Sequence, residues 1–157
     1  MNNDLADREL MLTRVIDAPR RNLFRAWTEP KLIVQWFTPP PFKTIDAQVD
    51  LRPGGRFFTL MQSPEGEQMP NDGVFLEVVP DEKLVFTDTY TAGWIPNPSP
   101  FMTAILTLED CDGGTRYTAR ALHKDDADRQ KHADMGFVNG WGKALDQLVA
   151  IAHAIDD

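Results

Sequence analysis

The feature that most constrains this chain is a series of six short β-like segments between residues 44 and 123. They are predicted at residues 44–51, 56–62, 73–79, 83–90, 101–109 and 115–123. Glycines, prolines and aspartates separate the segments, and this spacing is typical of an antiparallel meander. The interruption at residues 92–100 has too many prolines for regular structure. We expect it to form a rim or lid.

Helical patterns flank this meander. A first strand is predicted at residues 9–17, and apolar residues at helical spacing predict a short helix between Pro19 and Thr28. A second short helix is predicted from Pro30 to Trp36. The three consecutive prolines at residues 39–41 prevent it from continuing further. Residues 125–154 carry an apolar stripe at intervals of three and four residues. This stripe predicts one long C-terminal helix of roughly 45 Å.

Together these elements predict a single α+β domain. We expect a curved antiparallel sheet of about seven strands wrapped around the long C-terminal helix, with two short helices between strands one and two. A chain of 157 residues with 42% hydrophobic residues can bury one core of the usual size. The predicted division is a disordered or loosely held tail at residues 1–7 and one domain at residues 8–157.

Composition excludes several classes of partner. The chain has 24 acidic against 16 basic residues, so it lacks the basic surface that nucleic-acid binding requires. No apolar segment approaches the roughly 20 residues of a membrane-spanning helix, and the N-terminus does not resemble a secretion signal. The one cysteine, Cys111, cannot form an intrachain disulfide. We therefore expect a cytoplasmic protein with no nucleic-acid or membrane partner.

Seven short motifs occur in an order that points to a known family. They are residues 15–28, 32–37, 52–57, 72–78, 80–87 and 114–116, and the group of Gly140, Trp141, Leu145 and Leu148. With these motifs the chain resembles the activator of Hsp90 ATPase homologue 1-like family, within the START-like (SRPBCC) helix-grip superfamily. The resemblance runs from about residue 8 to residue 152. It implies a helix-grip fold, and it implies ligand binding more than catalysis.

Strand alternation and the helical stripe predict an internal cavity between the sheet and the long helix. Aromatic residues and methionines dominate the faces directed inward, so we expect the ligand to be a hydrophobic or aromatic small molecule. Gly136, Gly140 and Gly142 indicate close backbone approach or room for a ligand. The predicted ligand-binding residues are Trp36, Phe57, Thr59, Met61, Val74, Leu76, Phe86, Tyr90, Trp94, Met102, Tyr117, Met135, Val138 and Trp141.

A few polar residues on the same strands could carry chemistry. Asp88, Tyr90 and His123 are candidate acid–base residues for a cyclase-like or hydrolase-like reaction, and Arg120 is expected to border the same interior. The sequence has no nucleophile elbow, no phosphate-binding glycine loop and no metal-ligand spacing, so neither a cofactor nor a metal is predicted. His132 is interpreted as part of a solvated acidic helix end.

Two other partners remain open. The family resemblance by itself implies a chaperone-associated module that contacts an Hsp90-type ATPase. A homodimer is also possible, because Phe58, Leu60 and Phe75 are assigned to strand faces opposite the cavity, where solvent would otherwise meet them.

Overall fold

The computed structural model describes residues 7–155, and its main element is one antiparallel sheet. Residues 1–6 of the predicted tail lie outside the described residues. The strands within residues 7–155 are β1 (Glu9–Ile16), β2 (Lys43–Val49), β3 (Arg56–Gln62), β4 (Gln68–Val79), β5 (Lys83–Thr87), β6 (Tyr90–Thr91), β7 (Ile95–Pro96), β8 (Thr103–Cys111) and β9 (Gly114–Leu122). Seven of them form the sheet in the order β1-β9-β8-β5-β4-β3-β2. The predicted seven-stranded sheet is confirmed.

Four helices accompany the sheet. They are α1 (Arg20–Thr28), α2 (Pro30–Trp36), α3 (Asp126–Asp134) and α4 (Phe137–Ala154). The C-terminal half of α4 is held by side-chain hydrogen bonds to the two short helices. Nε2 of Gln147 donates to the backbone oxygens of Trp36 at 2.8 Å and Thr38 at 3.0 Å, and Asn22 donates to the oxygen of Ala152 at 3.2 Å. These bonds place α4 across the open side of the sheet.

The core lies between the concave face of the sheet and the helices. Leu84 and Leu106 from the sheet pack there with Leu23 of α1 and with Leu145 and Leu148 of α4, each at most 2% exposed. Burial of this kind contributes about 1.5–3 kcal/mol for each such side chain. The core is therefore concentrated at the end of α4 that the hydrogen bonds hold.

The prediction of one helix over residues 125–154 is wrong. The helix ends at Asp134, and Gly136 adopts a left-handed φ of 92° before α4 begins. Glycine tolerates this conformation because it has no Cβ. α4 has 18 residues and is therefore about 27 Å long. Within residues 7–155, no helix has both the length and the hydropathy to cross a membrane.

The proline-rich stretch contains a small hairpin that the sequence did not predict. Strands β6 and β7 pair as a separate two-stranded sheet, and β6 packs against β4. Trp94 in its turn has a positive φ of 58°, and its ring lies so close to Gly54 that a Cβ there would meet it at 2.9 Å. The stretch is therefore anchored to the sheet by an aromatic ring on a glycine.

A bulge in β4 changes which residues face inward. The register with β5 shifts between Phe75 and Glu77. Phe75 is fully buried and stacks on Phe57 with ring centroids 5.0 Å apart, so its assignment to an outer dimer-forming face is wrong. A bulge inserts one residue and reverses the alternation beyond it, which simple alternation cannot anticipate.

The conformation of Gly136 leads to a stability prediction. Gly136→Ala should lower the free energy of unfolding by about 1–2 kcal/mol, because an L-residue is strained at a left-handed φ. Gly140→Ala is the matched control: Gly140 lies inside α4 with no atom within 4 Å of the point that a Cβ would occupy, and alanine should raise stability there by about 0.5–1 kcal/mol. Urea unfolding of both variants measures the difference. Changes of the same sign would contradict the assigned break.

Candidate ligand-binding cavity

A cavity of about 530 Å³ lies between the concave face of the sheet and the N-terminal half of α4. The sheet contributes Phe57, Phe86 and Tyr117, and α4 contributes Phe137 and Trp141. Helix α2 and the segment after it close one side. The volume is within the range of about 300–1,000 Å³ that small-molecule sites occupy.

Nine of the fourteen predicted ligand-binding residues line this cavity. They are Trp36, Phe57, Thr59, Met61, Phe86, Met102, Tyr117, Met135 and Trp141. Met135 is 68% exposed and lies at the rim, whereas Phe57 and Tyr117 are buried at the walls. The candidate acid–base residue Asp88 also lines the cavity.

Five predicted residues lie elsewhere. Val74 pairs with Arg56 across the sheet. Arg56 precedes Phe57, which faces the cavity, so Arg56 and its partner Val74 lie on the outer face. Leu76 sits at the bulge and is 39% exposed. Val138 is 64% exposed, because the inner stripe of α4 runs through Phe137 and Trp141 instead.

Tyr90 and Trp94 are the other two. They contact each other edge-to-face, with ring centroids 5.6 Å apart, in the hairpin outside the cavity. The alternation that predicted an inward Tyr90 stops at Thr87, where the chain leaves the main sheet. Their placement in the cavity was therefore wrong for a topological reason.

The walls are a connected set of aromatic rings. Trp27 meets Trp36 edge-to-face at 4.9 Å, and Phe57 meets Phe86 edge-to-face at 4.8 Å. Nε1 of Trp36 donates to the backbone oxygen of Ala26 at 2.8 Å, which fixes the orientation of that indole. Edge-to-face pairs contribute about 0.5–1.5 kcal/mol beyond their buried area, so this wall is rigid.

Two glycines leave space at the opposite wall. Gly136 and Gly140 line the cavity, and no atom lies within 4 Å of a Cβ built on either of them. Gly142 differs, because its Cβ position lies 3.7 Å from the guanidinium of Arg14. Of the two explanations predicted for these glycines, room beside α4 describes Gly136 and Gly140.

The carboxylate of Asp88 has a structural role. It accepts hydrogen bonds from the backbone N–H of Phe101 at 2.9 Å and of Met102 at 3.1 Å. The backbone oxygen of Asp88 accepts from the side chain of Asn97 at 2.7 Å. These bonds hold the chain that returns from the hairpin into β8. Asp88 therefore shapes the cavity rim.

Two residues that line the cavity, Trp27 and Tyr117, carry polar atoms. Burial raises the pKa of the Tyr117 hydroxyl, and the nearby indole N–H of Trp27 partly opposes this. The geometry of that N–H falls short of a hydrogen bond, and within residues 7–155 it has no other partner. Both rings line the cavity. Sequence analysis identified Tyr117 but missed Trp27.

The structure brings together two histidines that sequence analysis treated separately. Nε2 of His123, at the end of β9, lies 2.9 Å from Nδ1 of His132 on α3. Nδ1 of His123 lies 2.8 Å from the backbone oxygen of Arg8. His123 is 2% exposed and does not line the cavity, whereas His132 does.

The interpretation of His132 as part of a solvated helix end is wrong. It is 7% exposed, and the rings of Phe101, Phe137 and Trp141 surround it at centroid distances of 4.8, 5.1 and 6.4 Å. Helix α3, which carries His132, ends just before the left-handed Gly136 and is a separate element from α4. Only recognition of that break could have placed His132 in the cavity.

Arg120 does not border the cavity. It forms a bidentate pair with Glu9 of β1, with the shorter contact at 2.6 Å, and the carboxylate raises the pKa of the guanidinium. Its neighbours Ala119 and Ala121 occupy the inner face. Among residues 7–155, no group of three or more His, Cys, Asp or Glu side chains is placed to hold a metal ion.

Comparison with known proteins decides the family. The family described as "Activator of Hsp90 ATPase homolog 1-like protein" matches residues 17–153. The chain belongs to this family. The helix-grip fold expected from the resemblance is confirmed by the seven-stranded sheet that encloses a C-terminal helix.

Solved structures of similar proteins share this fold. One from Nitrosomonas europaea is 42% identical, with a TM-score of 0.91 over 95% of this chain and 96% of that chain. One from Mycobacterium smegmatis is 27% identical, with a TM-score of 0.79 over 99% and 97%. A protein of unknown function from Staphylococcus aureus has 19% identity and a TM-score of 0.72 over 93% of each chain. No curated protein matched.

Burial of His132 makes the stability of this family member depend on pH. Burial lowers the pKa of the imidazole from 6.5 to about 4, and His123 acts in the same direction. Between these values the unfolded chain binds the proton and the folded chain does not, so stability falls as the pH falls from 6.5 to 4. The loss is on the order of 3 kcal/mol.

Urea unfolding between pH 4 and pH 8 tests this. His132→Phe should unfold with a shallower pH dependence than the wild type, because the variant has no proton to take up on unfolding at that position. His153→Phe is the matched control, since His153 is exposed and hydrogen-bonds to the backbone of Asp17. Equal slopes for the wild type and His132→Phe would contradict the burial argument.

Proposed function

We propose that this protein binds a hydrophobic or aromatic small molecule in the cavity and does not catalyse a reaction there. The observation that carries this proposal is the cavity of about 530 Å³ walled largely by aromatic rings. A ligand in such a site gains by removing apolar surface from water, at about 25 cal/mol per Å². The few polar side chains that line the cavity, His132 among them, would orient it.

The form of the walls supports a planar ligand. Phe57, Phe86 and Trp36 are held by edge-to-face contacts on one side, and the glycines of α4 leave width on the other. A rigid site reduces the conformational entropy lost on binding. The same rings favour offset or edge-to-face contact with another aromatic system.

The candidate acid–base residues favour binding over catalysis. Asp88 is engaged by two backbone N–H groups, Tyr90 lies outside the cavity and His123 is shielded behind His132. His132 reaches the cavity, but a base with a pKa of about 4 is a weak proton acceptor at neutral pH. A cyclase-like or hydrolase-like enzyme is therefore the weaker alternative.

The remaining partners stay predictions. Family membership is what supports contact with an Hsp90-type ATPase. For the homodimer, two of the three predicted residues, Phe58 and Leu60, remain half-buried on the outer part of β3. Phe58 also packs under the guanidinium of Arg56, at 4.4 Å. A cytoplasmic location likewise remains a prediction.

Titration with 2-methoxynaphthalene tests the proposal. Three of the four tryptophans, Trp27, Trp36 and Trp141, line the cavity, so binding should change tryptophan fluorescence. Gly140→Phe should weaken binding by about tenfold or more, because its side chain enters the space beside α4. Asn139→Phe adds the same ring at an exposed position on the adjacent residue and should bind as the wild type does.

Native mass spectrometry of the protein purified from cells complements the titration. We expect a bound apolar molecule that is released on denaturation in the wild type and depleted in Gly140→Phe. A wild type that neither carries such a molecule nor responds to 2-methoxynaphthalene would overturn the proposal. Equal loss of binding in both phenylalanine variants would mean that binding occurs outside the cavity.

A further inference from the structure

We propose that the cavity selects aromatic ligands that carry a hydrogen-bond donor, such as a phenolic hydroxyl, and that Nε2 of His132 accepts this hydrogen bond. This inference rests on the proposed binding function and names the chemical class of its ligand. It arises from the chain of contacts that runs from the backbone oxygen of Arg8, just before β1, through two imidazoles to the cavity.

The direction of the hydrogen bonds follows from the first member of that chain. The backbone oxygen of Arg8 can only accept, so Nδ1 of His123 carries the hydrogen. In a neutral His123 the other nitrogen, Nε2, is then an acceptor. Nδ1 of His132 must donate to it across 2.9 Å. Nε2 of a neutral His132 is left with a lone pair and no hydrogen.

Nε2 of His132 is not fully enclosed by the protein. Fully buried side-chain nitrogen and oxygen atoms without a partner occur at Arg8, Asn22 and Trp27 within residues 7–155. Nε2 of His132 also has no hydrogen-bond partner among these residues, but it is not one of those enclosed atoms. Because the His132 ring lines the cavity, this nitrogen is within reach of a bound molecule.

The neutral state of the pair has support from its surroundings. The guanidinium of Arg8 donates to the backbone oxygen of His123 at 3.2 Å, so a positive charge already lies near that residue. Asp128 on α3 is in electrostatic range of His123, but its carboxylate is paired with Lys124. Phe101, Phe137 and Trp141, which surround the His132 ring, carry no charge.

The surroundings also explain why the ligand should supply a donor. An acceptor among aromatic rings loses contact with water when a ligand fills the cavity. A ligand with a donor replaces the lost hydrogen bond, whereas a ligand without one leaves the nitrogen unpaired. A ligand with a carboxylate would place a negative charge beside the lone pair on Nε2 of His132, and the two would repel each other. The expected discrimination for the donor is about tenfold in affinity.

Two probes of one ring system measure this selection. 2-Naphthol carries a hydroxyl donor, and 2-methoxynaphthalene has the same oxygen without the hydrogen. At pH 7.5 the wild type should bind 2-naphthol about tenfold more tightly by calorimetry. In His132→Phe this preference should disappear while 2-methoxynaphthalene still binds. His153→Phe, which replaces an exposed histidine, should keep the preference.

A measurement on the wild type tests the same idea without a substitution. Two-bond ¹H–¹⁵N correlation spectra report which imidazole nitrogen carries the hydrogen. Both His123 and His132 should show hydrogen on Nδ1, the less populated tautomer of free histidine. Adding 2-naphthol should shift the Nε2 resonance of His132, and adding 2-methoxynaphthalene should shift it much less. In His123→Phe, His132 should lose its preference for the Nδ1 tautomer.

The outcomes separate this inference from the proposed function. Equal affinity of the wild type for both probes, or hydrogen on Nε2 of His132, would overturn the donor selection and leave a binding cavity. A preference for 2-naphthol that survives in His132→Phe would also overturn it. If neither probe binds the wild type, the binding function fails and the donor selection fails with it.

Discussion

The rest of the structure depends on how α4 is held at one end and not at the other. Its C-terminal half packs into the core through Leu145 and Leu148, and Gln147 bonds it to the segment after α2. Its N-terminal half presents Gly136 and Gly140 to the sheet with no atom close to their Cβ positions. One helix therefore closes the core at one end and leaves a cavity at the other. The curvature of a twisted antiparallel sheet makes room for this arrangement.

The break before α4 has a second consequence. Helix α3 ends just before the left-handed Gly136 instead of continuing into α4, and its His132 lies against His123, just after β9. Phe137, the first residue of α4, lies beside His132 across this break, with ring centroids 5.1 Å apart. A polar group thereby enters an aromatic wall, and its hydrogen-bond direction is determined through His123 by the backbone oxygen of Arg8. The presence of an imidazole in the cavity wall thus depends on the break between α3 and α4.

The rim of the cavity formed by the proline-rich stretch is held by a carboxylate and an aromatic ring. The carboxylate of Asp88 accepts hydrogen bonds from the backbone N–H groups of Phe101 and Met102, and the ring of Trp94 packs against Gly54. Both contacts fasten a stretch rich in proline, which cannot contribute enough backbone donors to pair fully with neighbouring strands. The carboxylate and the aromatic ring replace the missing ladder bonds. Residues that resemble catalytic or ligand-binding groups in the sequence therefore serve to hold the rim.

Residue patterns that depend on local spacing were sufficient for the sheet, the two short helices and the inner faces of β3, β8 and β9, including Phe57 and Tyr117. Such patterns arise because successive side chains in a regular strand alternate between two faces. They failed at Leu76, Tyr90 and Val138, where a bulge, a departure from the sheet or a helix break interrupts the regular repeat.

The sequence by itself determined the family, through seven short motifs in a fixed order. It also determined the seven-stranded sheet and the aromatic character of the interior, because these depend on composition and on periods of two and 3.6 residues. The tertiary structure alone decided that His132 enters the cavity and pairs with His123, nine positions earlier in the chain. It also decided that Asp88 is committed to backbone donors. Contacts between separate elements require the path of the whole chain, and a single left-handed glycine sets that path here.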